Sequence, residues 1–306
     1  MDRSRRKFMK GEPTHIYQRS VSGGLIFYST RDYLVFYTYF SVSAVRHHIR
    51  VLCLCIMPDH IHCLITAEMV EDMRRFVQDY TSKFALDYNR TLGRNGAVFK
   101  AYFGWAQKKG GKAVRTCIAY ILNNPVERFH CKRAIQARWN FLAYARSPFP
   151  FSKAEALRNP PRILRRKLDE VKARRTLLLP IGYQMMDRLI GNLPDNLAKL
   201  FADYLIQAYN VSDFEKLSSF FHSTESMIAA IDSNTGTEYD LHEPTRKGDD
   251  RFFFRMIRSV SCLMPGKTAR QVQAMSNEEK VMLANYFVER MAIPASYIKS
   301  FLHWNK

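Results

Sequence analysis

Apolar and polar residues change period several times along this chain, and each change marks an element. His15 to Val21 alternates apolar and polar and predicts a strand. Gly23 and Gly24 turn the chain, and Leu25 to Tyr28 predicts a second short strand. Asp32 to His47 is a long apolar stretch whose length and charged ends favour a buried helix over a strand. Ile49 to Met57 is strand-like, Pro58 and Asp59 form a turn, and His60 to Thr66 returns as the partner of a hairpin. From Glu68 to Leu92 the apolar residues Met73, Phe76, Val77, Tyr80, Phe84 and Tyr88 recur at helical spacing, and Gly93 and Gly96 end the helix. Ala97 to Trp105 predicts another strand, and Lys108 to Lys112 a flexible basic loop. Lys112 to Asn124 predicts a helix stopped by Pro125, because a residue before proline is disfavoured in the helical region. The order is that of an α+β fold, with helices covering an antiparallel sheet.

The pattern changes again after Phe149. The proline-rich run to Pro161 reads as a boundary, and Arg162 to Arg175 as a basic helix. Beyond Gly182 every periodic segment is helical. Thr268 to Met275 is a short helix, and Ser276 with Glu279 three residues on is a capping box that opens another, running to about Met291. Pro294 opens a last helix to His303. These three short helices resemble a helix-turn-helix, or simply a trihelical bundle. The division expected is an α+β unit over residues 13–150, a basic linker and helix over 151–180, and an all-α region over 181–306.

Composition narrows the class. The longest apolar stretch, Leu34 to Val45, is interrupted by Thr38, Ser41 and Ser43 and is too short to span a membrane. The basic start has no apolar region after it, so it does not read as a signal peptide. Six cysteines in 306 residues suggest reduced thiols and a cytoplasmic protein. The net charge of +19 is uneven. Residues 101–200 carry 20 basic against 6 acidic groups, while residues 201–250 carry 3 against 10. A localised positive face points to a polyanion, with nucleic acid ahead of a membrane surface.

The chemistry concentrates in two places. His60 and His62 stand two apart on a strand, so both imidazoles project from one face while Ile61 enters the core. Two neutral imidazoles on one face can share a divalent metal, although an isolated pair is more often plain strand surface. Tyr120 and Asn124 stand four apart on the helix after the basic loop, hence on one helical face. A metal on two histidines polarises a phosphodiester and stabilises the charge that builds on its oxygens. A phenol, with a pKa of about 10, is a weak nucleophile without such help.

The run Met57-Pro58-Asp59-His60-Ile61-His62-Cys63-Leu64-Ile65 resembles the HUH motif of the single-tyrosine transposases, of the insertion-sequence-200 and REP-associated types. Tyr120 to Val126 resembles their tyrosine-helix motif, and His15 to Arg19 and Arg138 to Phe141 are similar to flanking patterns. The resemblance covers about residues 13–150. It implies a ferredoxin-like nuclease fold, usually a homodimer, that uses Mg²⁺ or Mn²⁺. It implies cutting of single-stranded DNA at hairpins through a 5′-phosphotyrosine, followed by rejoining. On that resemblance Tyr120 is the nucleophile, His60 and His62 are metal ligands, and Asn124 stands where the third ligand is commonly found. Arg19, Lys108, Lys109, Lys112 and Arg115 are the candidate DNA contacts; the lysines around Gly110 and Gly111 read equally as a solvated loop.

Other readings compete. Cys53, Cys55 and Cys63 lie close to the histidines, but a CxC within a strand does not match a structural zinc site. Asp59 reads as a catalytic acid or, better, as a turn residue. Tyr17, Phe103, Trp105 and Trp139 read as core aromatics before base-stacking platforms. A different function class is a lapsed nuclease that binds specific DNA through the C-terminal helix-turn-helix. A replication-initiator nuclease would need a helicase partner, and the sequence contains no sign of one. Helices 181–306 are an addition that the transposase resemblance does not explain.

Overall fold

The computed structural model describes residues 8–233 and 248–304. Residues 1–7 of the basic start, residues 234–247 within the acidic stretch 201–250, and residues 305–306 lie outside the described residues. The first half runs β1 (Thr14–Arg19), α1 (Thr30–Arg46), β2 (Arg50–Ile56), β3 (His60–Thr66), α2 (Val70–Arg90), β4 (Gly104–Gln107) and α3 (Gly110–Glu127). The four strands form one antiparallel sheet in the order β2-β3-β1-β4.

Each face of the sheet receives its own helices. Ile16, Ile61, Cys63, Ile65, Leu54 and Ile56 point to the face covered by α1 and α2. The aromatic stripe predicted for α2 is buried there in full. Phe36 of α1 is surrounded by Phe27, Phe40, Tyr80, Phe84 and Phe99. α1 is apolar nearly all round and is buried nearly all round, as such a helix must be. Its start is fixed by a capping box, in which Ser29 accepts from the Asp32 amide and Asp32 accepts from the Ser29 amide. The opposite sheet face carries Cys53, Cys55 and Leu64 and is covered by α3, through Val114, Cys117, Ile118 and Ile121.

The structure corrects three expectations in this half. Leu25 to Tyr28 is buried but is no strand. β1 already has β3 and β4 on its two edges, and the Ile26 and Phe27 amides donate to the Pro58 carbonyl instead, at 2.7 and 3.0 Å. Most of Ala97 to Trp105 is irregular; only Gly104–Gln107 forms a ladder, with a single bridge from Phe99 to Ser20. α3 begins two residues early and runs through Pro125 to Glu127. A proline so near the helix end forfeits one backbone bond, and the bonds from Arg128 N to Asn124 O and from His130 N to Pro125 O close the last turn.

The second half is helical wherever described: α4 (Arg162–Thr176), α5 (Tyr183–Ile190), α6 (Asp195–Ala208), α7 (Phe214–Ser218), α8 (Thr224–Asp232), α9 (Arg251–Leu263), α10 (Asn277–Glu289) and α11 (Ala295–Phe301), with short 3-10 turns between. These helices do not share one core. Leu164, Leu168, Ile181, Tyr183, Phe201 and Leu205, from α4 to α6, join the core under α1. Leu217, Met227, Ile228 and Ile231 of α7 and α8 join the core under α3. Only α9 to α11, with the 3-10 turn Ala269–Ala274, build a third core, and Leu25 and Tyr28 of the first half belong to it. The Ser276–Glu279 capping box forms as the sequence predicts.

Candidate active site

The ladder between β1 and β3 assembles the site. It sets Arg19 opposite His60 and Tyr17 opposite His62. Alternation places His15, Tyr17 and Arg19 on the sheet face that carries His60 and His62. The His60 and His62 ring centroids are 4.9 Å apart with planes at 88°. Tyr17 stacks on His62 at 4.9 Å. α3 lays Tyr120 over this face, with its ring 5.5 Å from His62 and 6.0 Å from His15. His60, His62, Tyr120 and Asn124 are all buried, and Tyr120 is 8% exposed.

Both histidines are oriented through Nδ1. The Asp59 carboxylate accepts from His60 Nδ1 at 2.6 Å. His62 Nδ1 and His15 Nε2 share a hydrogen bond of 3.0 Å. Burial alone would raise the Asp59 pKa. His60 and the bond to it, with Arg128 and Arg19, outweigh that and hold the carboxyl well below its usual range. Burial, then His60, His15 and Arg19, pushes the His62 pKa well below the ordinary imidazole value, so the ring is neutral. Neutral imidazole with Nδ1 engaged is the form that ligates a metal through Nε2.

The 4.9 Å spacing of the two ring centroids is within the reach of one divalent ion bound by both imidazoles at about 2.1 Å. The Asn124 amide nitrogen donates to the Tyr120 carbonyl at 2.8 Å, which leaves its oxygen as the donor for an ion. Among the described residues no three His, Cys, Asp or Glu side chains come together as a metal site. Any ion here therefore draws its further ligands from Asn124, water or substrate oxygens.

The predicted DNA contacts separate. Lys109, Lys112 and Arg115 are exposed around the start of α3. Arg19 is half-buried, 3.7 Å from Asp59 at the site itself. Lys108 is not a solvated loop residue. It is 2% exposed, because β4 runs up to it and its amide donates to the Pro13 carbonyl beside β1. Asp59, read from the sequence as a turn residue, is a buried partner of His60. His15 has no role of its own in the sequence reading, and Tyr17 is read there as a core aromatic before a base-stacking one; their spacing of two on β1 was the available signal for the site. Arg128, just past α3, was also missed. It is held by Asp250, 122 residues away, through Nε at 3.1 Å and Nη2 at 2.5 Å, and His130 bonds the other Asp250 oxygen at 2.7 Å.

Paired histidines on a central strand thus face a tyrosine on a covering helix, in a chain of net charge +19. Residues 26–124 match the family described as "Transposase IS200 like", and that segment contains His60, His62, Tyr120 and Asn124. The resemblance to the single-tyrosine transposases thus holds over the part of the chain that carries the site. A solved structure described as "Structure of the REP associates tyrosine transposase bound to a REP hairpin" is 16% identical, covers 46% of this chain and 82% of its own, and has a TM-score of 0.37. No curated protein is a significant match to the chain. No helix among the described residues is long and apolar enough to cross a membrane.

Proposed function

We propose that this protein cuts and rejoins single-stranded DNA at hairpins in DNA transposition, with Tyr120 as the nucleophile. The observation that carries the reading is the placement of the Tyr120 ring over His62, beside a histidine pair whose two Nδ1 atoms are already engaged. The β1-α1-β2-β3-α2-β4 order and the β2-β3-β1-β4 sheet support the ferredoxin-like form of the HUH nuclease fold.

His60, His62 and Asn124 would hold Mg²⁺ or Mn²⁺. Such an ion supplies a Lewis acid for a phosphodiester oxygen. Asp59 and His15 hold the two imidazoles in their ligating orientation. The Tyr120 oxygen attacks phosphorus, a P–O bond to tyrosine forms, and the bond to the 3′-oxygen breaks. The phenol's proton is returned, in net, on the 3′-hydroxyl. Because one phosphodiester is exchanged for another, the reverse attack rejoins strands without a high-energy cofactor. Tyr120 is 8% exposed, so the scissile phosphate approaches a largely covered ring. Lys109, Lys112 and Arg115 would hold the incoming backbone, and the family resemblance adds a homodimer.

The reading is tested by a covalent protein–DNA adduct that depends on Tyr120 and on a divalent ion. The competing regulator, acting through the 3-10 turn Ala269–Ala274, α10 and α11 as a helix-turn-helix, predicts duplex binding with no adduct.

A further inference from the structure

A polar cavity of about 270 Å³ lies where the third core meets the end of the sheet. Ser20, Ser22 and Arg94 line it from the first half of the chain, and Gln273, Lys280 and His303 from the second. No carboxylate lines it. Lys280 on α10 is 9% exposed, and its ammonium has no ion pair or hydrogen bond among the described residues. Burial lowers its pKa. The Arg94 guanidinium reaches only neutral oxygens, those of Gln273 and Ala97. The Ser20 hydroxyl is buried, 2% exposed for the residue, and has no hydrogen-bond partner. His303 is already consumed: Nε2 donates to the Leu25 carbonyl and Nδ1 takes the Ser22 hydroxyl, each at 2.9 Å.

A confined site lined by cations ordinarily carries a counter-charge, and a buried hydroxyl is ordinarily bonded. Here Lys280 and Arg94 line one cavity with no carboxylate among the described lining residues, and the Ser20 hydroxyl beside it has no partner. A guanidinium fork, an ammonium and a hydroxyl together are the donor set that a tetrahedral oxyanion satisfies. We infer that this cavity is a phosphate-binding site, taking either free phosphate or a backbone phosphate of DNA. Its position gives the phosphate a structural consequence. Ser20 N donates to Asp59 O at 3.0 Å, one residue from His60, while Lys280 belongs to α10. A phosphate held between them clamps the third core to the end of the sheet that carries the histidines. The inference does not depend on Tyr120 chemistry.

The test uses the full chain in phosphate-free buffer, with sodium phosphate exchanged for sodium chloride at constant ionic strength. Phosphate is expected to raise the melting temperature by several degrees. Lys280→Met is expected to weaken phosphate binding by about tenfold or more. Arg94→Gln is the second variant, with the same loss of the phosphate shift. A single-stranded oligonucleotide separates the two sources. If the backbone is the ligand, Lys280→Met lowers the slope of log affinity against log salt by about 0.7, and phosphate competes with the oligonucleotide. An unchanged slope with a lost phosphate shift assigns the site to free phosphate. Equal phosphate shifts in wild type and both variants, or no shift with an unchanged oligonucleotide slope, would overturn the inference.

Discussion

Replacing His15 by Leu tests how far the proposed metal site depends on its second layer. His15 is fully buried, and its Nε2 accepts from His62 Nδ1–H at 3.0 Å in the tautomer that leaves His62 Nε2 for an ion. A neutral hydrogen bond of this kind contributes about 1 kcal/mol, and leaving the His62 N–H unpaired in a dry site adds about 1–3 kcal/mol. The same bond fixes which His62 nitrogen is available to a metal, and loss of such an orienting partner typically weakens metal binding about 10–100-fold. His15→Leu should therefore raise the dissociation constant for Mn²⁺, read by electron paramagnetic resonance, about tenfold or more. His15→Gln, which can place an acceptor near the same point, should recover much of the loss. Asp59→Asn should cost more than His15→Leu, because the bond it weakens is shorter, at 2.6 Å, and charge-assisted. Thermal melts of the apo proteins separate this from general destabilisation. Wild-type Mn²⁺ affinity in His15→Leu, or equal losses in the Leu and Gln variants, would refute the reasoning.

Three further outcomes follow from the structure. Phe36→Ala should destabilise the fold by about 3–5 kcal/mol in urea unfolding, because Phe36 is fully buried in a ring of aromatics and the cavity cannot collapse; a loss below about 1 kcal/mol would contradict that packing. Burial, with Arg94 and Lys280 nearby, pushes the His303 pKa down to about 4, below its value of about 6.5 in the unfolded chain. The folded state thus binds that proton more weakly, so the stability His303 confers is present above about pH 6.5 and is lost as pH falls toward 4, by up to about 3 kcal/mol. His303→Asn should flatten stability over that window, measured by urea unfolding at stepped pH, and an unaltered slope would contradict the assignment. Lys112→Ala with Arg115→Ala should weaken single-stranded DNA binding without regard to sequence and reduce the salt slope by about 0.7 per lost phosphate contact, whereas a loss confined to one sequence would contradict a backbone role.

What the sequence made legible was what periodicity encodes. The stripe from Met73 to Tyr88, the 49–66 hairpin and the 276–279 capping box all sit where their spacing places them. The pairing of β1 with β3 was not legible, because register is settled by packing between distant segments. That register is what brings His15 and Tyr17 to the histidine pair. Lys108 misled for a related reason: glycines beside lysines suggest a solvated loop, yet the edge pairing of β4 with β1 carries the residue inside. The proline-rich run near residue 150 looks like a boundary, while Leu164, Leu168 and Val171 beyond it join the first core. The bond of Arg128 to Asp250 spans 122 residues and leaves no local trace.

The central claim is that Tyr120 forms a phosphotyrosine. Wild-type protein, Tyr120→Phe and His60→Ala would be incubated with 5′- and 3′-labelled hairpin-bearing single strands and Mn²⁺ or Mg²⁺, then run on denaturing gels. The account predicts a covalent band on the 3′-side fragment that is lost in both variants and in EDTA. An adduct that persists in Tyr120→Phe, or firm DNA binding with no adduct under any hairpin and metal, would contradict it.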